Sequence, residues 1–272
     1  MARITRIQTD ETERDFFSIE IRDPEGRTSR VSVHEDILVR EALHKGLELS
    51  AEQVERIRRE ASGTRAYNAG LRYLAHRMHS VFEMKEYLKK RSFDVRQIDY
   101  AIQRMLDEKL LDDETFANSF ARTRIQTSTK GPQLIYRELL QTGVAQEIAA
   151  RTEKLFSIDE QIAHARKYLA KHTSSVKNKK SSAEARLVLA RLLMQHGYSR
   201  EISNHVLNEI TDFLEENEKN ALANQAEKAM QKYKKFTGRA FALKVRNFLY
   251  HKGFPLDAID SFLHDRIGGI ND

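Results

Sequence analysis

Three constellations in this 272-residue chain combine residue types and spacings that could do chemistry. His76 and His79 lie three apart in a helical stretch, a spacing that suits a shared metal ion. No third ligand is evident nearby, so both are expected to be exposed surface histidines. Asp112-Asp113 could pair a general acid with a general base. It follows Leu110-Leu111 and precedes Glu114, where acids cap free N–H groups and complement the dipole of a starting helix. Ser80-Val-Phe-Glu83 contains a hydroxyl but has the form of a capping box opening a helix, not of a nucleophile. No phosphate-cradling glycine loop, dinucleotide fingerprint, H-E-x-x-H pair or G-x-S-x-G elbow occurs. Without cysteine, disulfides, thiolate zinc sites and iron–sulfur clusters are excluded, which fits a reducing cytosol. The expectation is a non-enzyme with no metal and no cofactor.

Charge offers a different chemistry. The net charge is only +6, but it is segregated. Residues 122–137 carry +4 with no acid, residues 166–196 carry +7, and residues 228–252 carry +8 with no acid. Together they hold +19, which leaves −13 for the remainder. Cations at helix C-termini explain one or two per run, not eight. The runs therefore predict a groove for a polyanion or an acidic protein, with binding that weakens steeply with salt. Tyr136, Tyr168, Tyr198, Tyr233, Phe236 and Phe241 lie among the cations; helical spacing places most in the core, though any could stack on bases.

Long helices must position these cations, because Gly plus Pro is 14 of 272 residues, about 5% against an average of about 12%. That scarcity argues against all-β folds and loop-built active sites. The first segment is the exception. Phe17, Ile19 and Ile21 alternate with polar residues, Asp23-Pro-Glu-Gly26 is a turn, and Val31 and Val33 alternate again, which predicts a β-hairpin with Ile4–Ile7 as a third strand. A helix is expected from His34 towards Gly46 and another from Ser50, with Ser62-Gly63 closing this N-terminal part.

The rest repeats. Leu88…Ser92-Phe93, Leu139…Gly143-Val144, Leu193…Gly197-Tyr198 and Leu249…Gly253-Phe254 share one pattern, at spacings of 51, 54 and 56 residues. Met84, Ile135, Leu189 and Val245 precede each Leu by four, and Ile98, Ile148, Ile202 and Ile259 follow. A glycine there ends a helix in the left-handed conformation, and the next apolar residue packs back on the turn. The fold class is mainly α: tandem three-helix repeats in an elongated, curved array, with a small N-terminal β-hairpin and helical cap. The expected boundaries are 1–63 for the cap, then 64–110, 111–156, 157–213 and 214–272 for four repeats, stacked so that the basic runs share one edge. No apolar stretch approaches 18 residues and no signal peptide is evident, so a cytoplasmic protein without a membrane partner is expected.

Leu71-Arg-Tyr-Leu-Ala-His-Arg77-Met-His-Ser80-Val-Phe-Glu83, followed by Leu88 and Phe93, then by Leu110-Leu-Asp-Asp113-Glu-Thr-Phe116-Ala117 and Lys130-Gly131, resembles the RecX family in its longer Gram-positive form. The resemblance is densest over residues 66–150; Ser92 departs from it where relatives carry glycine. It implies a regulator, chiefly an inhibitor, of the RecA recombinase. Such a protein binds in the groove of the RecA–DNA filament and modulates its ATPase, strand-exchange and coprotease activities in recombination, DNA repair and the SOS response. Single-stranded DNA is an implied partner, with double-stranded DNA a further candidate, and a monomer is expected. The matched motif is expected to supply core residues (Tyr73, Leu74, Leu88, Phe116) and caps (Ser80, Glu83, Asp113), with Arg77 open between an internal ion pair and a filament contact. The remaining contact candidates are read from charge alone: Arg122, Arg124, Lys130, Lys177, Lys179, Lys180, Lys234, Lys235, Arg239 and Arg246. A helix-turn-helix DNA-binding transcriptional regulator is the alternative. A two-helix scaffold fits less well, because its repeats are shorter than 51–56 residues.

Overall fold

The computed structural model describes residues 1–10 and 15–267. The first elements are β1 (Ala2–Thr9), β2 (Phe16–Arg22), β3 (Thr28–His34), α1 (Glu35–Arg40), β4 (Glu48–Leu49) and α2 (Ala51–Leu74). Helices follow without further strands among the described residues: α3 (Val81–Lys90), α4 (Val95–Asp107), α5 (Asp113–Thr127), α6 (Pro132–Gln141), α7 (Gln146–Arg151), α8 (Ile158–His172), α9 (Ser182–Gln195), α10 (Arg200–Asn208), α11 (Thr211–Tyr233), α12 (Gly238–His251) and α13 (Leu256–Ile267). By its contacts the chain divides into two units, residues 1–119 with 139–149, and residues 120–138 with 150–272.

In the first unit, alternation along the strands does what a half-buried sheet requires. The expected hairpin is β2–β3, with Phe17 opposite Val33 and Ile19 opposite Val31. β1 pairs antiparallel with β2, and β4 completes the order β3-β2-β1-β4. Ile4, Ile19, Ile21 and Val33 close on Ile37, Val54 and Ile57. The helix expected from His34 to Gly46 is shorter. α1 ends at Arg40, and Ala42 adopts a left-handed φ of 47°. The turn lets Gly46 N–H donate to the Ile4 carbonyl (2.8 Å) and Ile4 N–H donate to the Leu47 carbonyl (3.0 Å), pairing an edge that a longer helix would leave bare.

Ser62-Gly63 does not close the N-terminal part. α2 runs through it for 24 residues, so the sheet and the first three-helix group share one helix. Gly63 is a contact, not a break: a Cβ there would lie 2.5 Å from Cγ of Tyr100 on α4. Beyond it, Ala66, Tyr67 and Ala69 of α2 pack with Met84 and Leu88 of α3 and with Ile98, Ile102 and Met105 of α4.

In the second unit, α8, α9 and α10 enclose Leu169, Leu189, Leu193, Tyr198 and Val206, while α11, α12 and α13 enclose Ala226, Val245, Leu249, Phe254 and Ile259. The repeated Leu and its partner four residues earlier are buried in every copy, at 0–3% exposure. The repeated corner is left-handed in all four, with φ of 64° at Ser92, 78° at Gly143, 98° at Gly197 and 80° at Gly253. Ser92 therefore keeps the same turn; Phe93 N–H still reaches back to the Leu88 carbonyl, as Tyr198 does to Leu193 and Phe254 to Leu249.

Three of these corners also make a contact that their neighbours in sequence do not announce. The carbonyl just before each glycine receives a donor from the opening turn of an earlier second helix. Ser80 Oγ donates to Thr142 O (2.5 Å), Gly131 N–H donates to His196 O (2.9 Å), and Ser181 Oγ donates to Lys252 O (3.0 Å). Gln133 N–H adds a bond to Gly197 O at 3.1 Å. Unpaired carbonyls at one helix end and unpaired N–H or capping groups at another thus satisfy each other. Ser92, in the first copy, is exposed.

Candidate cationic interface

The residues that looked capable of catalysis are used for architecture. Asp112 accepts from Glu114 N–H (2.9 Å) and from Thr115 Oγ1 (2.6 Å), capping α5 as expected. Asp113 caps a different helix: its Oδ1 accepts Val81 N–H at 2.8 Å, at the start of α3. Ser80 and Glu83 form the expected capping box. Arg77 forms an internal ion pair, placing two nitrogens 2.9 and 3.1 Å from the two Glu83 oxygens.

His76 is exposed, but His79 corrects the expectation of a surface histidine, being only 4% exposed. Its ring stacks on Tyr73 at 3.6 Å, which stacks on Tyr87 at 3.9 Å, and its Nδ1 lies 3.2 Å from Glu83 Oε2. The aromatic slot that swallows the ring is built across α2 and α3, so the local sequence does not reveal it. Among the described residues, no group of three or more His, Asp or Glu is placed to hold a metal ion.

Burial, reinforced by the nearby Arg77 charge, pushes the His79 pKa below the usual value. Burial also lowers His164, and burial together with His172 and Lys130 lowers His196. Burial works to raise the Glu83 carboxyl, but hydrogen bonds from Arg77 and Ser80 and the Arg77 charge outweigh it and leave it low. A lowered histidine takes up its proton more readily in the unfolded chain, so its contribution to stability is present above the ordinary value near 6.5 and is lost as pH falls below it. The low Glu83 carboxyl acts in the same direction further down, below the ordinary carboxylate range. The thermal unfolding midpoint is therefore expected to fall between pH 8 and pH 5.5, and His79→Phe to flatten part of that slope; parallel pH profiles for both proteins would contradict this.

The cationic candidates separate into two groups. Arg124 Nε lies 2.9 Å from Glu138 Oε2, and Lys130 takes the other oxygen. Lys180 pairs with Glu184, and Arg246 grips Asp260 with bonds of 2.6 and 3.0 Å. The basic runs are thus partly compensated, contrary to their local charge count, by acids one helical turn away or on the next helix. Arg122, Lys177, Lys179, Lys234, Lys235 and Arg239 are exposed and have no ion-pair partner among the described residues.

Five of those six are organised around α11. Lys177–Lys180 belong to the connection between α8 and α9, where Val176 is fully buried and Asn178 has a left-handed φ of 56°. Three amide side chains of α11 hold this loop by its backbone. Asn217, 3% exposed, accepts from Asn178 N–H (2.5 Å) and donates to the Lys180 carbonyl (3.2 Å). Asn224 donates to the Asn178 carbonyl (3.1 Å), and Gln225 to the Lys179 carbonyl (2.9 Å). With its backbone satisfied by α11, the loop leaves Lys177 and Lys179 exposed to solvent. Lys234 caps the same helix nine residues beyond Gln225, about 14 Å along the axis. Lys235 and Arg239 follow at once, with Phe236, 43% exposed, beneath the Lys244 ammonium at 4.4 Å from the ring centre. Of the aromatic residues expected as core or stacking groups, Phe236 is exposed, while Tyr136, Tyr168, Tyr198, Tyr233 and Phe241 are buried or half-buried. Arg122 is exposed on α5, and Arg77 belongs to the first unit. The three amides were not foreseen; the usable signal was Asn217, a polar residue on the buried stripe of Leu214 and Ala221.

Comparison with known proteins agrees with this architecture. Models of the RecX family match residues 66–105 as the first three-helix domain, 112–152 as the second and 216–263 as the third. The chain is 34% identical over 267 residues to regulatory protein RecX of Halalkalibacterium halodurans, covering 97% of this chain and 100% of the relative. It is 32% identical to the RecX of a Geobacillus species and 31% identical to that of Bacillus cereus, each covering 97% of both chains. A crystal structure of regulatory protein RecX superposes with a TM-score of 0.65 at 23% identity, covering 76% of this chain and 100% of the other. RecX from Lactobacillus salivarius superposes at 0.51 and 23% identity over 55% and 96% of the respective chains. No helix among the described residues is long and apolar enough to cross a membrane. With full-length similarity to named regulatory proteins and the same three-helix domains, the chain belongs to the RecX family.

Proposed function

We propose that this protein regulates, and chiefly inhibits, the RecA recombinase by binding in the groove of the RecA–DNA filament, and so lowers its ATPase, strand-exchange and coprotease activities. The observation that carries the reading is the exposed, uncompensated group Lys177, Lys179, Lys234, Lys235 and Arg239, the first two on a loop held to α11 by the amides of Asn217, Asn224 and Gln225 and the others at or just beyond the end of that helix. Such a group suits phosphates or the acidic side chains of a filament. Phe236, exposed among these cations, suits a base. Arg122 extends the candidate contacts, while Arg77, Arg124, Lys130, Lys180 and Arg246 contribute through pairs that already hold them in place.

The proposed organisation is an N-terminal cap, 1–63, and four repeats, 64–110, 111–156, 157–213 and 214–272, with the first boundary falling inside the shared helix α2. The protein acts as a monomer in the cytoplasm, without catalysis or cofactor, on RecA with single-stranded DNA and, as a second nucleic-acid partner, double-stranded DNA. The test is RecA ATPase on single-stranded DNA with and without the protein. Inhibition at substoichiometric protein, weakening steeply between about 50 and 200 mM salt, is expected. An unchanged ATPase, or inhibition indifferent to salt, would overturn the proposal.

A further inference from the structure

α9 carries two apolar stripes, and the second leaves Ala183, Leu187 and Met194 exposed. Ala185, Leu189 and Leu193 face the core at 0% exposure. Ala183, Leu187, Ala190 and Met194 form a second set at i, i+4, i+7 and i+11, one face of a helix with 3.6 residues per turn. Leu187 is 69% exposed and Met194 46%. A single exposed leucine on a protein surface needs no explanation, but a three-turn stripe does.

The stripe floors a groove between α9 and α10 with a volume of about 600 Å³. Arg186 and Arg200 stand on its rim, and no carboxylate lines it. The Arg186 guanidinium rests on neutral groups, the Leu207 carbonyl at 3.4 Å and the Asn208 side chain, so its charge is not compensated. Arg200 is exposed and has no ion pair among the described residues.

We infer that the α9–α10 groove docks an acidic amphipathic helix of a partner protein, its apolar face on Leu187 and Met194 and its carboxylates against Arg186 and Arg200. Concavity selects a rod over a flat surface, since a membrane would need the apolar residues on a convex face. An apolar floor disfavours a nucleic-acid backbone, which would be desolvated there without compensation. A floor about 16 Å long, from Ala183 to Met194, takes roughly three turns of such a helix, with anchors recurring at i, i+4 and i+7. The basic rim sets the sign of the partner's charge. This assignment does not rest on the filament reading, because none of the six residues belongs to the cationic group around α11.

The test uses the full chain and two fluorescein-labelled peptides of about 16 residues, long enough for three to four turns of amphipathic helix. Both carry leucine at i, i+4, i+7 and i+11; one has glutamate at the intervening positions and the other lysine. Fluorescence anisotropy should show the acidic peptide bound and the basic one not. Leu187→Asp should weaken binding by about tenfold or more. R186E/R200E, confined to the rim and therefore informative even if the leucine variant misfolds, should reverse the preference between the peptides. Equal affinity for both peptides, no binding of either, or indifference to R186E/R200E would overturn the inference. Displacement of the acidic peptide by oligo(dT) would assign the rim to nucleic acid instead. A concentration-dependent dimer that Leu187→Asp abolishes in sedimentation velocity would assign the groove to a second copy, and would equally overturn it.

Discussion

Reversing Lys177, Lys179, Lys234 and Lys235 together to glutamate is expected to abolish inhibition of RecA while leaving the helical signal and the unfolding midpoint near those of the parent. The two halves of this expectation have separate physical causes. None of the four ammonium groups has an ion-pair partner among the described residues, and all four are exposed. The loop is held by its backbone through Asn217, Asn224 and Gln225, so changing the lysine side chains leaves those bonds in place. Affinity for a polyanion, in contrast, depends on each cation. If all four contact phosphates, the slope of log affinity against log salt should fall by about 4, and affinity at low salt by at least about a hundredfold. Lys180 is left out deliberately. It pairs with Glu184, and a glutamate at 180 would set two carboxylates one turn apart, so lost activity could not be separated from lost stability. Full inhibition by the fourfold variant, measured in the RecA ATPase assay, would remove the α11 surface from the mechanism.

The second large effect is predicted at the junction between the corner of α9 and the start of α6, where two glycines meet. A Cβ on Gly131 would lie 2.5 Å from the Gly197 carbonyl oxygen, and a Cβ on Gly197 would lie 2.5 Å from the Leu134 nitrogen. These neighbours are backbone, so they cannot swing aside as the tip of a side chain can. Gly197 also has a φ of 98°, which an alanine adopts only at a cost. Gly238 separates the two effects, because its φ is 57° but nothing lies within 4 Å of its Cβ position. Gly238→Ala should lose about 1 kcal/mol from backbone strain alone. Gly131→Ala should lose about 2 kcal/mol from overpacking, and Gly197→Ala about 3 kcal/mol or more from both. Ser92→Gly runs the other way. It relieves a non-glycine residue at φ 64° in an exposed corner and should gain about 0.5 kcal/mol. Urea unfolding midpoints rank the four variants. If Gly131→Ala were as mild as Gly238→Ala, the junction would not be tightly packed.

Much of the fold was legible from residues 64 onward because its signals are local. Met84 with Leu88, Ile135 with Leu139, Leu189 with Leu193 and Val245 with Leu249 each lie one turn apart, and a helix turns that spacing into a buried stripe wherever it occurs. The left-handed corners were equally legible, since a glycine that ends a helical pattern announces a change of φ. The β2–β3 hairpin followed for the same reason, with a period of two on either side of a turn.

What stayed hidden depends on atoms distant in sequence. Gly63 has the local mark of a break, yet α2 runs through it, and the Tyr100 ring occupies the space that a side chain there would need. Asp113 opens α5 but caps α3, and His79 stands in a polar stretch yet is enclosed by Tyr73 and Glu83. The basic site followed the same rule. Charge runs located the cations, but pairing by Glu138, Glu184 and Asp260 and the three amides of α11 selected which remain available.

The sequence by itself therefore determined the helices, their repeat and the sign of the surface, because propensity, periodicity and formal charge are properties of neighbouring residues. Only the tertiary structure decided which polar groups are spent within the fold and which face a partner. Hydrogen bonds and ion pairs form over a few ångströms of space, and that proximity is set by packing between residues as far apart as Gly131 and His196.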